Sequence, residues 1–187
     1  MRIVGLGGTY RPQSSTEAAL RIALQAAQAL GAQVLLLGAD ALDLPMYRPG
    51  ASTEPASSKI SRLIEEVRLA DGLIIASPGY HGSISGLVKN ALDYLEELRD
   101  DTRPYLDGRA VGCIATGMGW QATGSTLASL RSVVHALRGW PTPLGVGVNT
   151  SETTFSADGA CSHPAVQAQL ALVGQQVAHF ALRGKSA

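Results

Sequence analysis

Short, mainly apolar runs alternate along this chain with stretches whose apolar residues return every three or four positions. The first run covers residues 2–7. It is followed by a helical pattern over 16–30, with Ala19, Leu20, Ala23, Leu24, Ala27 and Leu30 on one face. Gly31 then supplies the left-handed residue that commonly ends a helix. A second run spans 33–38, and residues 40–56, with Pro45, Pro49, Gly50 and Pro55, read as a long loop. The stripe Ile60, Leu63, Ile64 and Val67 predicts a helix from about Ser57 to Leu69. Strands are predicted at 72–77, 110–115 and 143–148, and helices at 85–98, 121–137 and 164–182. Residues 149–163 have no periodicity and are expected to form an exposed excursion.

Strands that are apolar at every position, each followed by a helix, call for a parallel sheet covered on both faces. Five such strands allow the order 2-1-3-4-5 and other doubly wound orders alike. With no repeat and no linker, residues 1–187 read as one domain. Hydrophobic residues make up 45% and charged ones 16%, which excludes a disordered chain. Lys plus Arg equals Asp plus Glu, so the basic excess expected of a nucleic-acid binder is missing. No stretch approaches the roughly 20 apolar residues needed to span a bilayer. Met1-Arg2-Ile3-Val4 enters a strand without a leader pattern. Two cysteines, Cys113 and Cys161, argue against a structural disulfide or a metal cluster and fit a reducing cytoplasm.

Candidate chemistry collects where strands end. In open α/β sheets ligands bind beyond the carboxyl ends of the strands. After the third strand, Ser77-Pro78-Gly79-Tyr80-His81-Gly82-Ser83-Ile84-Ser85-Gly86 offers an aromatic face, an imidazole, hydroxyls and small residues suited to a flat polar ring. After the first strand, the spacing Gly5, Gly7, Tyr10 fails the dinucleotide fingerprint, and no Gly-Lys-Ser/Thr is present for a nucleotide P-loop. Thr9, Ser14, Ser15 and Thr16 with Arg11 at a helix N-terminus suit a phosphate. Plain capping by Ser14 or Ser15, with Glu17 completing a capping box, accounts for the same residues. Both readings stay open on spacing alone. A hydrolase elbow is absent, since Ser83 lacks the second glycine. His135 and His179 fit packing positions, His163 a solvated one, and Asp93, Glu96 and Glu97 a solvated helix face. Trp120 suits either a stacked ring or a subunit contact.

Taken together, two segments resemble the NADPH-dependent FMN reductase family. Gly8-Thr9-Tyr10-Arg11-Pro12-Gln13-Ser14-Ser15-Thr16 matches its Gly-Ser-x-Arg-x-x-Ser-x-Asn/Thr, with Thr9 for Ser. Pro78-Gly79-Tyr80-His81-Gly82-Ser83 and Gly86-Leu87-Val88-Lys89-Asn90-Ala91-Leu92-Asp93 match its second motif. Gly79 stands where Glu is usual and His81 where Asn is usual, and Met118 and Trp120 are uncommon in the third loop. The resemblance implies a flavodoxin-like three-layer sandwich with a five-stranded parallel sheet, order 2-1-3-4-5, and FMN as cofactor. It places the phosphate on Thr9, Arg11, Ser14, Ser15 and Thr16. It sets Pro78, Gly79, Tyr80, His81, Gly82 and Ser83 along the ring, and Thr116, Gly117, Met118 and Gly119 at the other edge. It implies NADPH or NADH as donor and a small-molecule acceptor: a quinone, an azo compound, a metal oxyanion or free flavin. No protein group need act as nucleophile or base. An electron carrier, and a reductase releasing FMN to a partner monooxygenase, are the rival readings. A homodimer or homotetramer is expected, from the resemblance and from surplus apolar residues Leu87, Tyr94, Leu98, Leu127, Leu130, Val133, Val134 and Leu137.

Overall fold

In the computed structural model, which describes residues 1–11, 13–50 and 58–184, the apolar runs pair side by side as parallel strands. Pro12, the loop end at 51–56 and the predicted helix start at Ser57 lie outside the described residues. β1 (Arg2–Gly7) lies between β2 (Gln33–Leu37) and β3 (Gly72–Tyr80), and β3 pairs next with β5 (Ala110–Gly117). Helices α1 (Ser15–Gln28), α2 (Ser58–Leu69), α3 (Gly86–Asp93), α4 (Trp120–Ala136) and α5 (Pro164–Arg183) fill the intervals. In the numbering of the predicted strands, the order is 2-1-3-4-5, with helices on both faces.

Three elements differ from the sequence pattern. The strand predicted at 143–148 is two pieces, β6 (Trp140–Pro141) and β7 (Val146–Asn149), both paired with β5. Pro143 has no N–H for the ladder, and Arg131 donates to the Thr142 carbonyl at 2.9 Å where the strand is interrupted. The third strand continues past 77 to Tyr80, because Gly79 and Tyr80 pair antiparallel with Ile84 and Ser83 of β4 (Ser83–Ile84). The helix predicted over 85–98 changes after Asp93 into a 3₁₀ turn, Tyr94–Leu98.

Two apolar layers sandwich the sheet. On one face Leu63, Val67, Leu92, Leu95, Leu130 and Val134 pack from α2, α3, the 3₁₀ turn and α4. On the other, Leu20, Ala23, Leu24, Leu170, Val173 and Val177 pack from α1 and α5. Tyr94 and Leu98 are buried in the first layer, and Leu87, Leu127, Val133 and Leu137 pack partly buried against it. The surplus apolar residues of these helices are therefore spent, wholly or in part, within one chain. At the amino ends of the strands, buried Arg109 donates to the carbonyls of Ala70, Tyr105 and Arg68 at 3.0, 2.9 and 2.9 Å. Burial lowers its guanidinium to about 10, so it stays charged at neutral pH.

Helices α1 and α5 touch where Gly174 meets the backbone of Ala23. A Cβ on Gly174 would stand 1.9 Å from the Ala23 carbonyl oxygen. Overpacked positions typically cost about 1–3 kcal/mol, and backbone yields less readily than a side chain. Gly174→Ala is expected to fall in the upper part of that range, read as a lowered urea midpoint with an unchanged slope.

Candidate functional site

The carboxyl ends of β1, β3 and β5 lie side by side, with Gly7 opposite Ala76 and Pro78 opposite Thr116. Gly7 has φ 147°, and a Cβ there would fall 2.1 Å from the Ala76 carbonyl oxygen, so only glycine lets the chain leave β1 at this point. The loop that follows is organised by its hydroxyls. Thr9 Oγ1 accepts the Arg11 N–H at 3.1 Å. Ser14 is the N-cap of α1, its Oγ accepting the Glu17 N–H at 3.2 Å. Only this half of the capping box forms, because Glu17 turns its carboxylate to Arg21 at 2.6 Å. Both hydroxyls keep their own O–H free to donate elsewhere. Arg11 is exposed and has no ion-pair partner among the described residues. Tyr10 donates to Asp43 Oδ1 at 2.6 Å, and that hydrogen bond raises its phenol above the ordinary range.

The second loop is a hairpin. β3 and β4 are joined by His81 and Gly82, with φ 52° and 85°. Two positive values in a two-residue loop make a type I′ turn. Histidine, like asparagine, is one of the few side chains that tolerate this region, which accounts for His81 before Gly82. The turn leaves Tyr80 56% exposed at the strand end. Beneath it, Ser77 Oγ accepts the Ser85 N–H and donates to the Pro78 carbonyl, both at 2.9 Å. Ser85 in turn caps α3 by accepting the Val88 N–H at 3.3 Å. Asn90 ties the 44–47 loop to α3, donating to Pro45 at 2.9 Å and accepting from Tyr47 at 2.8 Å.

The third loop is held from β7. Asn149, buried, accepts the Gly119 N–H at 2.8 Å and the Ser151 hydroxyl at 2.7 Å, and donates to Glu152 at 2.6 Å. Glu152 also accepts the Trp120 indole N–H at 3.1 Å. Thr16 and Thr116 bring their hydroxyls within 2.6 Å of one another, buried between α1 and β5.

A cleft of about 290 Å³ opens between the first two loops, lined by Gly8, Thr9, Tyr10, Arg11, Tyr80, Ser85, Gly86 and Leu87. Of the predicted residues, Thr9, Arg11 and Tyr80 meet in it. Ser14 lines a neighbouring cleft of about 230 Å³ against Phe155 and Gly159. Pro78, Thr16 and Thr116 are buried behind these openings, Ser15 and Gly79 half-buried, and His81, Gly82 and Ser83 exposed on the hairpin. Gly117 and Gly119 are half-buried, while Met118 is 83% exposed. Residue pattern alone missed Tyr10, Ser85 and Leu87 in the cleft and Asn149 beneath the third loop. The first three sit inside segments already singled out, but Asn149 opens a stretch without periodicity.

The donor set fits FMN. Hydroxyls, an unpaired guanidinium and a helix N-terminus suit a phosphate dianion, since N–H groups and the helix dipole favour negative charge there. Tyr10 and Tyr80 flank the cleft with aromatic faces for a flat ring. Sulfur chemistry is not on offer at β5, where burial pushes the Cys113 thiol up to about 12. Among the described residues no cluster of three or more His, Cys, Asp or Glu is placed to hold a metal.

A parallel sheet in the order 2-1-3-4-5, with helices on both faces and three loops gathered at its carboxyl ends, defines the flavodoxin-like class. The model of the NADPH-dependent FMN reductase family matches residues 1–153, and the chain belongs to that family. An FMN-dependent NADPH-azoreductase of Staphylococcus aureus (strain USA300) is 32% identical over 114 residues, 59% of this chain. That match spans 57% of the azoreductase, so the chain covers little more than half of its curated relative. An NADH:FMN oxidoreductase in its apo form superposes with TM-score 0.73 at 25% identity, covering 97% of this chain and 89% of that one. The flavoenzyme NAD(P)H:(acceptor) oxidoreductase FerB from Paracoccus denitrificans gives TM-score 0.75 at 20% identity over 97% of both chains.

Removing Asn149 should unsettle the third loop. Asn149→Ala leaves the half-buried Gly119 N–H without its acceptor, and loss of such a hydrogen bond costs about 0.5–1.5 kcal/mol. The expected result is a urea midpoint lowered accordingly, with faster amide exchange at Gly119.

Proposed function

We propose that this chain works as one FMN-binding domain, an NAD(P)H-dependent oxidoreductase passing two electrons from NAD(P)H to a small-molecule acceptor. The acceptor is a quinone, an azo compound, a metal oxyanion or free flavin. The observation that carries the reading is one cleft in which Thr9, Arg11 and Tyr80 meet beside Ser85 and Gly86 at the start of α3. FMN, when bound, supplies the hydride-accepting N5, from which the two electrons pass on while NAD(P)H leaves as NAD(P)⁺.

The residues bind and orient. Arg11, the hydroxyls of Thr9, Ser14 and Ser15 and the first turn of α1 at Thr16 are assigned to the phosphate. Pro78, Gly79, Tyr80, His81, Gly82 and Ser83 are assigned to one side of the ring, with Tyr80 nearest it. Thr116, Gly117, Met118 and Gly119 are assigned to the far edge. Hydride transfer needs no protein nucleophile or base, in keeping with a site built of hydroxyls, one guanidinium and aromatic faces. A net charge of zero argues against a flavodoxin-type carrier, which uses an acidic surface to steer cationic partners. Two free cysteines favour a reducing cytoplasm, and no helix among the described residues is long and apolar enough to cross a membrane.

We also infer a homodimer or homotetramer. Because α3 and α4 spend much of their surplus apolar surface internally, support shifts to Met118 and Trp120, 83% and 58% exposed at the strand ends. Light scattering at micromolar concentration should give at least twice the 19.4 kDa chain mass. A monomer with full NADPH–quinone activity would refute this.

The FMN-reconstituted protein should show a flavin spectrum that NADPH bleaches without oxygen, and absence of micromolar FMN binding would overturn the reading. Arg11→Ala should weaken FMN binding about tenfold to a hundredfold, as loss of a charge-assisted hydrogen bond does. Titration calorimetry reads the change, and an unchanged Kd would remove Arg11 from the phosphate site.

A further inference from the structure

The hairpin that presents Tyr80 lies flat against one face of α4. Fully buried Thr126 donates to the Ser83 carbonyl at 3.4 Å. The tightest approach is at Gly79, where a Cβ would stand 2.6 Å from Thr126 Oγ1 and 3.1 Å from the Ala122 carbonyl oxygen. Neither neighbour gives way easily. Thr126 is β-branched, with few χ1 choices in a helix, and the Ala122 oxygen is backbone. Gly79 has no positive φ, so its own conformation would accept any residue. Close approach alone excludes a side chain. α4 is in turn pinned at its start by the Gly119–Asn149 hydrogen bond, so it forms a fixed seat.

We propose that Gly79 and Thr126 are positioning residues: the missing side chain lets the hairpin settle on α4, and Thr126 sets the height at which Tyr80 faces the cleft. What Tyr80 then touches rests on the flavin reading above. The hairpin's seating does not. A side chain at 79 would lift β3 and β4 away from α4 and move Tyr80 relative to Thr9 and Arg11. Small displacements of this kind cost binding well out of proportion to their size, because the groups around a rigid ring must all fit at once.

The test uses Gly79→Ala and Gly79→Ala/Thr126→Ala, with Thr126→Ser as the conservative control. In FMN-free protein, amide exchange at Tyr80 and Ser83 should quicken about tenfold or more in Gly79→Ala while β1 and β5 keep their protection. The double variant, which lacks the atom at 2.6 Å but keeps the 3.1 Å approach to the Ala122 oxygen and loses the Ser83 hydrogen bond, should recover in part and exchange at least about threefold more slowly than Gly79→Ala. Thr126→Ser, which keeps the hydroxyl, should match wild type. FMN affinity, read by flavin fluorescence, should weaken about tenfold in Gly79→Ala and recover in part in the double variant. Wild-type exchange in Gly79→Ala, or no recovery in the double variant, would overturn the proposal. If Gly79→Ala does not fold, the double variant decides: folded, with β1 and β5 protected, supports it, and unfolded refutes it. A wild-type chain that binds no FMN would sink the flavin reading, and the exchange data would still judge the seating.

Discussion

Three parallel strands end at one level, and everything at the candidate site hangs from that register. β1 meets β3 with Gly7 opposite Ala76, so closely that no side chain fits between them. β3 meets β5 with Pro78 opposite Thr116. A slip of one residue would exchange the two faces of a strand and bring Ile3 and Val4, both fully buried, against the wrong helices. Burial of both sheet faces therefore holds the three loops in place. The same register brings the loop after β1 and the Tyr80 hairpin to one cleft, lined also by Ser85 and Gly86 at the start of α3.

Strand ends in a covered sheet carry backbone and hydroxyl groups that must be satisfied without water. Here the residues beneath the cleft satisfy one another. Thr16 pairs with Thr116, Ser77 links the Ser85 N–H to the Pro78 carbonyl, and Asn149 gathers Gly119, Ser151 and Glu152. Among the described residues no buried side-chain nitrogen or oxygen is left unpaired. A satisfied polar floor of this kind is rigid, because each group moved strands its partner. The groups left with unused donors, Arg11 and the hydroxyls of Thr9 and Ser14, sit above that floor. Rigidity below and free donors above suit binding and orientation.

The strands and helices were legible because residues buried on both faces are apolar at every position, a signal that survives in a single sequence. What the pattern misread has local causes. Pro78-Gly79 has the composition of a loop, yet the backbone stays extended to pair Tyr80 with Ser83. Only the positive φ values of His81 and Gly82 mark where the turn lies. The split of the last strand depends on Pro143 and on Arg131 reaching the Thr142 carbonyl from α4, a contact without a sequence period. Of the surplus apolar residues on these helices, Tyr94, Leu98, Leu130 and Val134 are buried within the chain, the Tyr94 hydroxyl donating to the Pro45 carbonyl at 3.0 Å, while Leu87, Leu127, Val133 and Leu137 are only partly covered. Thr9, Arg11 and Tyr80, which line one cleft, were singled out by motif because their loops follow strands directly. Asn149 was missed because its role is set by a β5–β7 pairing that no local pattern encodes.

Ser14 shows why capping and phosphate binding need not compete. Its oxygen accepts from the Glu17 N–H, which discharges the cap, while its O–H still has no assigned acceptor. The acid that follows would repel a phosphate if it stood alone, but Glu17 is engaged by the guanidinium of Arg21 one turn on. That pairing offsets part of the Glu17 charge at the mouth of the helix, where Arg21 joins the dipole and Arg11 in opposing it. The same sequence thus caps its helix and keeps the helix end attractive to an anion. The choice Glu17 makes between Ser14 and Arg21 is what reconciles the two.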